Sequence, residues 1–168
     1  MQSKEIVNSE RTLPGDYIAG FVDGEGSFPL TYRKDTHPKT HNRIYYYWKP
    51  MFMICLKLDD FEILERIKET LHCGTISKSK RFVIYQVADF SDLINKIIPF
   101  FETYPLRAKK RHDFELWKEA LQILKKFRLI TSKPFEVKQI PDNDHAKLLQ
   151  IRKRMLQYKP TNKLYKYS

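Results

Sequence analysis

A chain of 168 residues with a net charge of +11 is long enough to bury one compact core and too short for two ordinary ones. Its 31 lysines and arginines against 20 acids point to a polyanionic partner, because each base set on a phosphate releases condensed counterions, although ribosomal and membrane-surface proteins share that balance. No run approaches the ~20 apolar residues that cross a bilayer, the polar start from Met1 to Arg11 has no signal-peptide core, and two cysteines cannot build a disulfide framework.

An intracellular protein with no membrane partner is expected, in an organelle or a prokaryotic cytoplasm. One domain is expected over 1–168, with a core from about 13 to 128 and a helical extension from about 129 to 168. Cys55 and Cys73 read as reduced thiols, and His37 and His41 as a solvated pair in a polar loop, so no zinc site is assigned.

The first predicted element is a short helix opened by Pro14 and broken by Gly24 and Gly26, ending just before Glu25. Its Ala19, Gly20 and Gly24 carry so little bulk that another backbone can approach closely. An acid at a carbonyl-rich helix end is poised to hold a cation. Spacing alone also allows Asp23 and Glu25 to flank an ordinary helix-to-strand turn.

Two period-two segments follow. Phe28, Leu30 and Tyr32 alternate with Ser27, Thr31 and Arg33, while Phe52, Ile54, Leu56 and Leu58 alternate with Met51, Met53, Cys55 and Lys57. They predict a β-hairpin whose connection, Lys34 to Asn42, reads as a long loop. Pro29 inside the first strand removes a ladder donor and predicts a bulge or an unpaired position. Phe61, Leu64, Ile67 and Leu71 then fall at helical spacing. Thr75 to Lys78 and Phe82 to Ala88 predict two short strands around a basic turn. A helix capped by Asp89 carries Phe90, Leu93, Ile94, Ile97, Ile98 and Phe101. A third long helix, Asp113 to about Arg128, turns Phe114, Trp117, Leu121 and Leu124 inward. After a loosened stretch from Thr131 to Asp144, a last helix runs from about His145 to Leu156, and the basic tail from Ile151 to Ser168 either clamps a DNA backbone or stays disordered.

Charge follows the elements. Gly26 to Leu58 holds six bases and one acid, whereas Asp59 to Leu71 holds five acids and two bases. The α-ββ-α-ββ-α-α order therefore predicts an α+β fold with a four-stranded antiparallel saddle sheet, helices on one face and a basic open face on the other. Such a face suits duplex DNA. It would also suit RNA, with Tyr45 and Tyr47 stacking on unpaired bases.

Ile18-Ala19-Gly20-Phe21-Val22-Asp23-Gly24-Glu25-Gly26 closely resembles the nonapeptide for which the LAGLIDADG homing endonucleases are named, and Ser27-Phe28 continues the match. Ile97-Ile98-Pro99-Phe100-Phe101 and Tyr104-Pro105-Leu106-Arg107-Ala108-Lys109-Lys110 look like that family's second-half signature. With one motif in the chain, the resemblance implies the class that acts as a homodimer, joined through Tyr17, Ala19, Gly20, Phe21 and Asp23 of the motif helix. It implies a Mg²⁺-dependent double-strand break in a long pseudo-palindromic DNA target, leaving short 3′ overhangs.

The resemblance also assigns residues. Glu25, with Gly24, would hold the metal, Asp23 would be structural, and Lys109 or Lys110 would lie near the scissile phosphate. DNA contacts would come from Ser27, Thr31, Arg33, Tyr45, Tyr47, Lys49, Met51, Met53, Lys57, Ser77, Ser79, Arg81, Gln86 and Arg107. Among these, Arg33 and Lys49 suit guanine edges, and Met51 and Met53 suit thymine methyls. Two departures from the family pattern stand out, Leu56 and Asp60, where many relatives carry a polar and a basic residue. They keep open a binding protein on the same fold, such as an intron RNA maturase or a regulator that no longer cuts.

Overall fold

The computed structural model describes residues 11–37, 43–128, 135–136 and 140–157. Helix α1 spans Gly15–Glu25. The strands are β1 (Gly26–Ser27), β2 (Leu30–His37), β3 (Arg43–Pro50), β4 (Phe52–Lys57), β5 (Thr75–Lys78), β6 (Phe82–Val87) and β7 (Phe135–Glu136). Helix α2 is Phe61–Leu71, α3 joins Phe90–Asp92, a π-turn at Leu93–Ile97 and Ile98–Thr103, α4 is Lys110–Arg128 and α5 is Asp142–Gln157.

The expected hairpin forms, but it serves two sheets. β1, β4, β6 and β5 make an antiparallel sheet in that order, and β2, β3 and β7 make a second. Gly26 opposes Ile54, Ser27 opposes Met53 and Leu30 opposes Pro50, so one register runs through both. The ladder lapses at Phe28 and Pro29, which lie between the two strands: the Pro29 carbonyl accepts from Met51 N at 2.9 Å, but proline has no N–H to return the bond. We call the β2–β3 part the ribbon. It continues to His37, so the connection is shorter than expected, and residues 38–42 of that loop lie outside those described.

Phe28 sits at the junction. Its ring lies 5.2–5.6 Å from those of Phe52, Phe101, Phe114 and Trp117, which joins the first hairpin to α3 and α4. Periodicity held for the helices: Leu64, Ile67 and Leu71 of α2, Leu93 and Ile97 of α3, and Trp117, Leu121 and Leu124 of α4 are all buried. The Asp89 carboxylate accepts from Asp92 N at 3.0 Å, as a capping residue should. The π-turn precedes Pro99, which cannot donate to the helical ladder.

The stretch expected to be loose contributes β7, which pairs with β3 through Tyr47–Glu136 and Trp48–Phe135. Helix α5 begins three residues before the expected His145 and places that imidazole against the ribbon. Trp48 Nε1 donates to His145 Nδ1 at 3.2 Å, and the ring of Tyr32 packs beside both. Trp48 is 1% exposed, so its N–H depends on that acceptor. His145→Ala is expected to lower stability by about 1–3 kcal/mol, the cost of orphaning a buried donor, as read by denaturant unfolding. An unchanged midpoint would mean that the contact carries no weight.

Candidate functional site

The rotation of α1 is set by what it buries. Ile18, Ala19 and Val22 enter the core, which turns Tyr17, Gly20 and Gly24 to the exposed side and leaves Phe21 partly covered, while Glu25 is exposed at the last position of the helix. A β-carbon added to Gly20 or Gly24 would meet nothing within 4 Å. The exposed stripe is thus narrower than expected: Ala19, placed at an interface by resemblance, is 4% exposed because it packs on the chain's own core.

The helix runs through Glu25 rather than stopping before it. Gly26 closes it, with its N–H on the Val22 carbonyl. A β-carbon at Gly26 would come within 2.5 Å of Val22 Cγ1 and 2.8 Å of Val22 O, so only glycine lets the chain leave the helix this tightly.

Glu25 is exposed beside that turn and makes no hydrogen bond or ion pair among the described residues. Its carboxylate and the Gly24 carbonyl are hard oxygen donors at the negative end of a helix, a combination that fits a divalent cation. Among the described residues no three acidic, histidine or cysteine side chains gather into a metal cluster. One copy therefore offers part of a cation site.

Asp23 does a different job. Its Oδ2 accepts from Arg107 N at 2.7 Å and from Ala108 N at 3.2 Å, fastening the loop before α4 to the end of α1. Its Oδ1 is buried without a hydrogen-bond partner among the described residues, which adds negative potential at that end. Lys109 follows this anchored backbone in an exposed turn, and Lys110 opens α4 half-buried. The motif acids and the candidate lysines, some 85 residues apart in sequence, therefore share one end of α1.

The strand register sorts the remaining candidates. Ser27, Met53, Gln86 and Thr75 form one row across the sheet, Cys55, Ile84 and Ser77 the next, and Lys57 and Phe82 a third. These rows face away from the helices, because the intervening Ile54, Val83, Tyr85 and Val87 are buried. Burial, and next the neighbouring Cys73 thiol, pushes the Tyr85 phenol far above its ordinary range, and its hydroxyl donates to Cys73 O at 2.9 Å. On the ribbon, Thr31 opposes Lys49 and Arg33 opposes Tyr47. Tyr45 opposes Asp35 along the backbone, and its side chain lies outside the described residues.

Several readings need correction. Met51 belongs to the open face by alternation, yet it is buried, 6% exposed, at the bend between the sheets. Ser79 lies beyond β5 and closes the turn, its hydroxyl accepting from Phe82 N at 3.0 Å and donating to Phe82 O at 3.1 Å. The hydroxyls of Thr31 and Ser27 donate to the carbonyls of Lys49 and Met53. Arg81 and Arg107 are exposed, outside the strands. Leu56 faces inward against the core and Asp60 is exposed at the start of α2, so the apolar character of Leu56 follows from packing. A groove of about 480 Å³ lined by Glu102, His112, Glu119 and Arg154 lies on the helical side and does not include Glu25. The candidate site is open rather than concave.

An antiparallel sheet with helices behind it and an acid at the end of a glycine-faced helix defines an α+β class. Within that class the chain belongs to the LAGLIDADG endonuclease family, whose model matches residues 18–121. It is 33% identical over 154 residues to the probable intron-encoded endonuclease Cox1-I1b of Schizosaccharomyces pombe, covering 90% of this chain and 36% of that one. The LAGLIDADG homing endonuclease I-GzeII, solved in complex with its DNA target, superposes with a TM-score of 0.69 at 27% identity, over 84% of this chain and 44% of that one. I-SmaMI, bound to uncleaved DNA with calcium ions, gives 0.70 at 24% identity over 85% and 45%. The chain thus spans less than half the length of these relatives. Among the described residues no helix is long and apolar enough to cross a membrane.

The link through Asp23 could not be read from spacing, since it joins residues distant in sequence. Asp23→Ala should free the 107–108 backbone, lower stability by about 1.5–3 kcal/mol for two bonds to a charged acceptor, and release the loop bearing Lys109. Thermal or denaturant unfolding reads the first effect, and amide hydrogen exchange at Arg107 and Ala108 reads the second. Unchanged exchange there would show that Asp23 holds nothing.

Proposed function

We propose that this chain is half of a site-specific homing endonuclease that makes a double-strand break in a long, pseudo-palindromic DNA target and leaves short 3′ overhangs. The observation that carries this is Glu25, exposed and unpaired among the described residues, at the end of a helix whose glycine face is bare. Membership of an endonuclease family, with intron-encoded relatives, supports the same reading and an intron as the setting of the gene.

In this reading Glu25 and the Gly24 carbonyl hold Mg²⁺ at the edge of the duplex. Held by those two oxygens, such an ion would supply the chemistry of an activated water and of charge stabilisation at the departing 3′-oxygen. Asp23 keeps the lysine loop in place, and Lys109 or Lys110 neutralises the scissile phosphate. Arg33, Lys49, Lys57, Arg81 and Arg107 hold the duplex by phosphate and base contacts, joined by Tyr47, Met53, Ser77 and Gln86 on the open face.

The cation site is completed by a second motif helix. We infer a second copy of this chain, packed through Tyr17, Phe21, Gly20 and Gly24 about a two-fold axis. The longer single chains among the relatives favour one other source, a second half on the same polypeptide.

Sedimentation separates the two sources, with a dimer expected for this chain alone. A β-carbon at Gly20 meets nothing within 4 Å among the described residues, so Gly20→Leu should leave the fold of the chain intact while pairing weakens about fivefold or more from overpacking at the contact. A variant that pairs as well as the parent would dismiss the glycine face as the interface.

Cleavage is tested with a plasmid carrying the junction of the exons that flank the gene. Mg²⁺ should support linearisation, and Glu25→Gln should bind that duplex but cut it about a hundredfold more slowly or worse, as when a preorganised charge stabiliser is removed. Undiminished cutting by Glu25→Gln would refute the assignment. Tighter binding of the intron RNA than of the duplex would move the chain to the RNA-binding reading.

A further inference from the structure

Four side chains on the open face carry no strong hydrogen-bonding group. Cys55 and Ile84 stand directly opposite each other on β4 and β6, Met53 lies two residues along β4, and Phe82 two residues along β6. None belongs to the core cluster or packs against it. Cys55 is exposed, Phe82 is 38% exposed, and Met53 and Ile84 are half-covered. They form one diagonal apolar stripe across the two central strands of the sheet, flanked by Gln86 beside Met53 and Lys57 beside Phe82.

A soluble sheet that places such residues outward leaves them for something that covers them. The bases around the stripe, Lys57, Lys80 and Arg81, are exposed, which selects a polyanion over an apolar protein face. Among base-pair edges in the major groove only thymine presents an apolar group, its C5-methyl. A guanine or cytosine edge against the stripe would lose water and find no partner there.

We propose that this stripe reads thymine by its methyl groups, so that each half-site contains a thymine-rich window specified by apolar contact and not by hydrogen bonds. The window follows from spacing. Successive outward residues on a strand lie about 7 Å apart, close to two base-pair steps, and three rows therefore cover about four to five base pairs. Gln86 at one end of the stripe is suited to an adjacent adenine, whose N6 and N7 it can bond together. The proposal rests on the duplex-binding reading above and deepens it by naming what the central strands recognise.

The test uses the full chain in two stages. Affinity selection from duplexes with randomised half-sites should enrich thymine at two or more positions within one such window. Each selected thymine is then replaced by deoxyuridine, which removes the methyl and keeps every hydrogen-bonding group. Binding should weaken about threefold to fivefold per methyl removed. In Ile84→Ser, and in Phe82→Ser at the more exposed position should the first variant fold poorly, at least one selected thymine should bind as well when replaced by deoxyuridine, the others keeping their methyl dependence. Equal binding of the two duplexes by the parent chain overturns the proposal while leaving duplex recognition intact, as does a window without thymine. Failure to select any duplex removes the underlying DNA-binding reading and this inference with it.

Discussion

The rotation of α1 about its own axis is the constraint on which the rest of the molecule depends. Three inward residues, Ile18, Ala19 and Val22, fix that rotation, and at 3.6 residues per turn Tyr17, Gly20 and Gly24 have no other place than the outer side, while Glu25 is exposed because it is the last residue of the helix. Gly26 then turns the chain into β1 within a single residue, which only a missing β-carbon permits beside Val22. Core packing on one side of a helix thereby determines where a bare backbone appears on the other, and the turn at Gly26 determines where the helix presents its last residue, the acid. Gly15 extends the logic to the start of the helix, where a β-carbon would overlap the ring of Tyr104.

The two motif acids illustrate how adjacent carboxylates acquire separate roles from their surroundings. Asp23 is absorbed by two backbone N–H groups of the 107–108 loop, whereas Glu25, two residues on and exposed at the helix end, has no such partner among the described residues. A helix advances about 200° in two residues, so acids at that spacing cannot both face the same neighbour. One becomes a joint and the other stays available.

Sequence periodicity was a good guide to which side of an element is buried and a poor guide to where ladders stop. The strands around Phe28, Ile54, Val83 and Tyr85 and the helices around Leu64, Ile97 and Trp117 were legible because alternation and helical spacing report burial directly. The second sheet was not, since the break falls at Phe28 and Pro29 opposite Met51 and Phe52, a placement visible only once register is known. Met51 was misread for the same reason, and β7 was missed because two residues carry no period. Within the site, Glu25 and Gly24 were legible through the nonapeptide. The Asp23 link to Arg107 and Ala108, the use of the Ser79 hydroxyl within its own turn, and the inward packing of Ala19 and Leu56 depend on tertiary neighbours that no local pattern contains.

The C-terminal segment adds the final step. Through β7 on β3 and His145 under Trp48 it braces the ribbon, the part of the first hairpin that leaves the main sheet. An unbraced two-stranded ribbon is marginal in water, and its exposed Arg33 and its Lys49 would then be offered from a fluctuating frame. Long-range attraction to a polyanion tolerates such fluctuation, because it depends on charge and falls off slowly with distance. Selection among base edges does not, because contacts of that kind require side chains held in register with the groove. On the proposed reading, the central sheet is rigid through the aromatic cluster at Phe28 and the ribbon is rigid through the aromatic group at Trp48. The two recognition surfaces are thus held by separate cores joined across the proline bend.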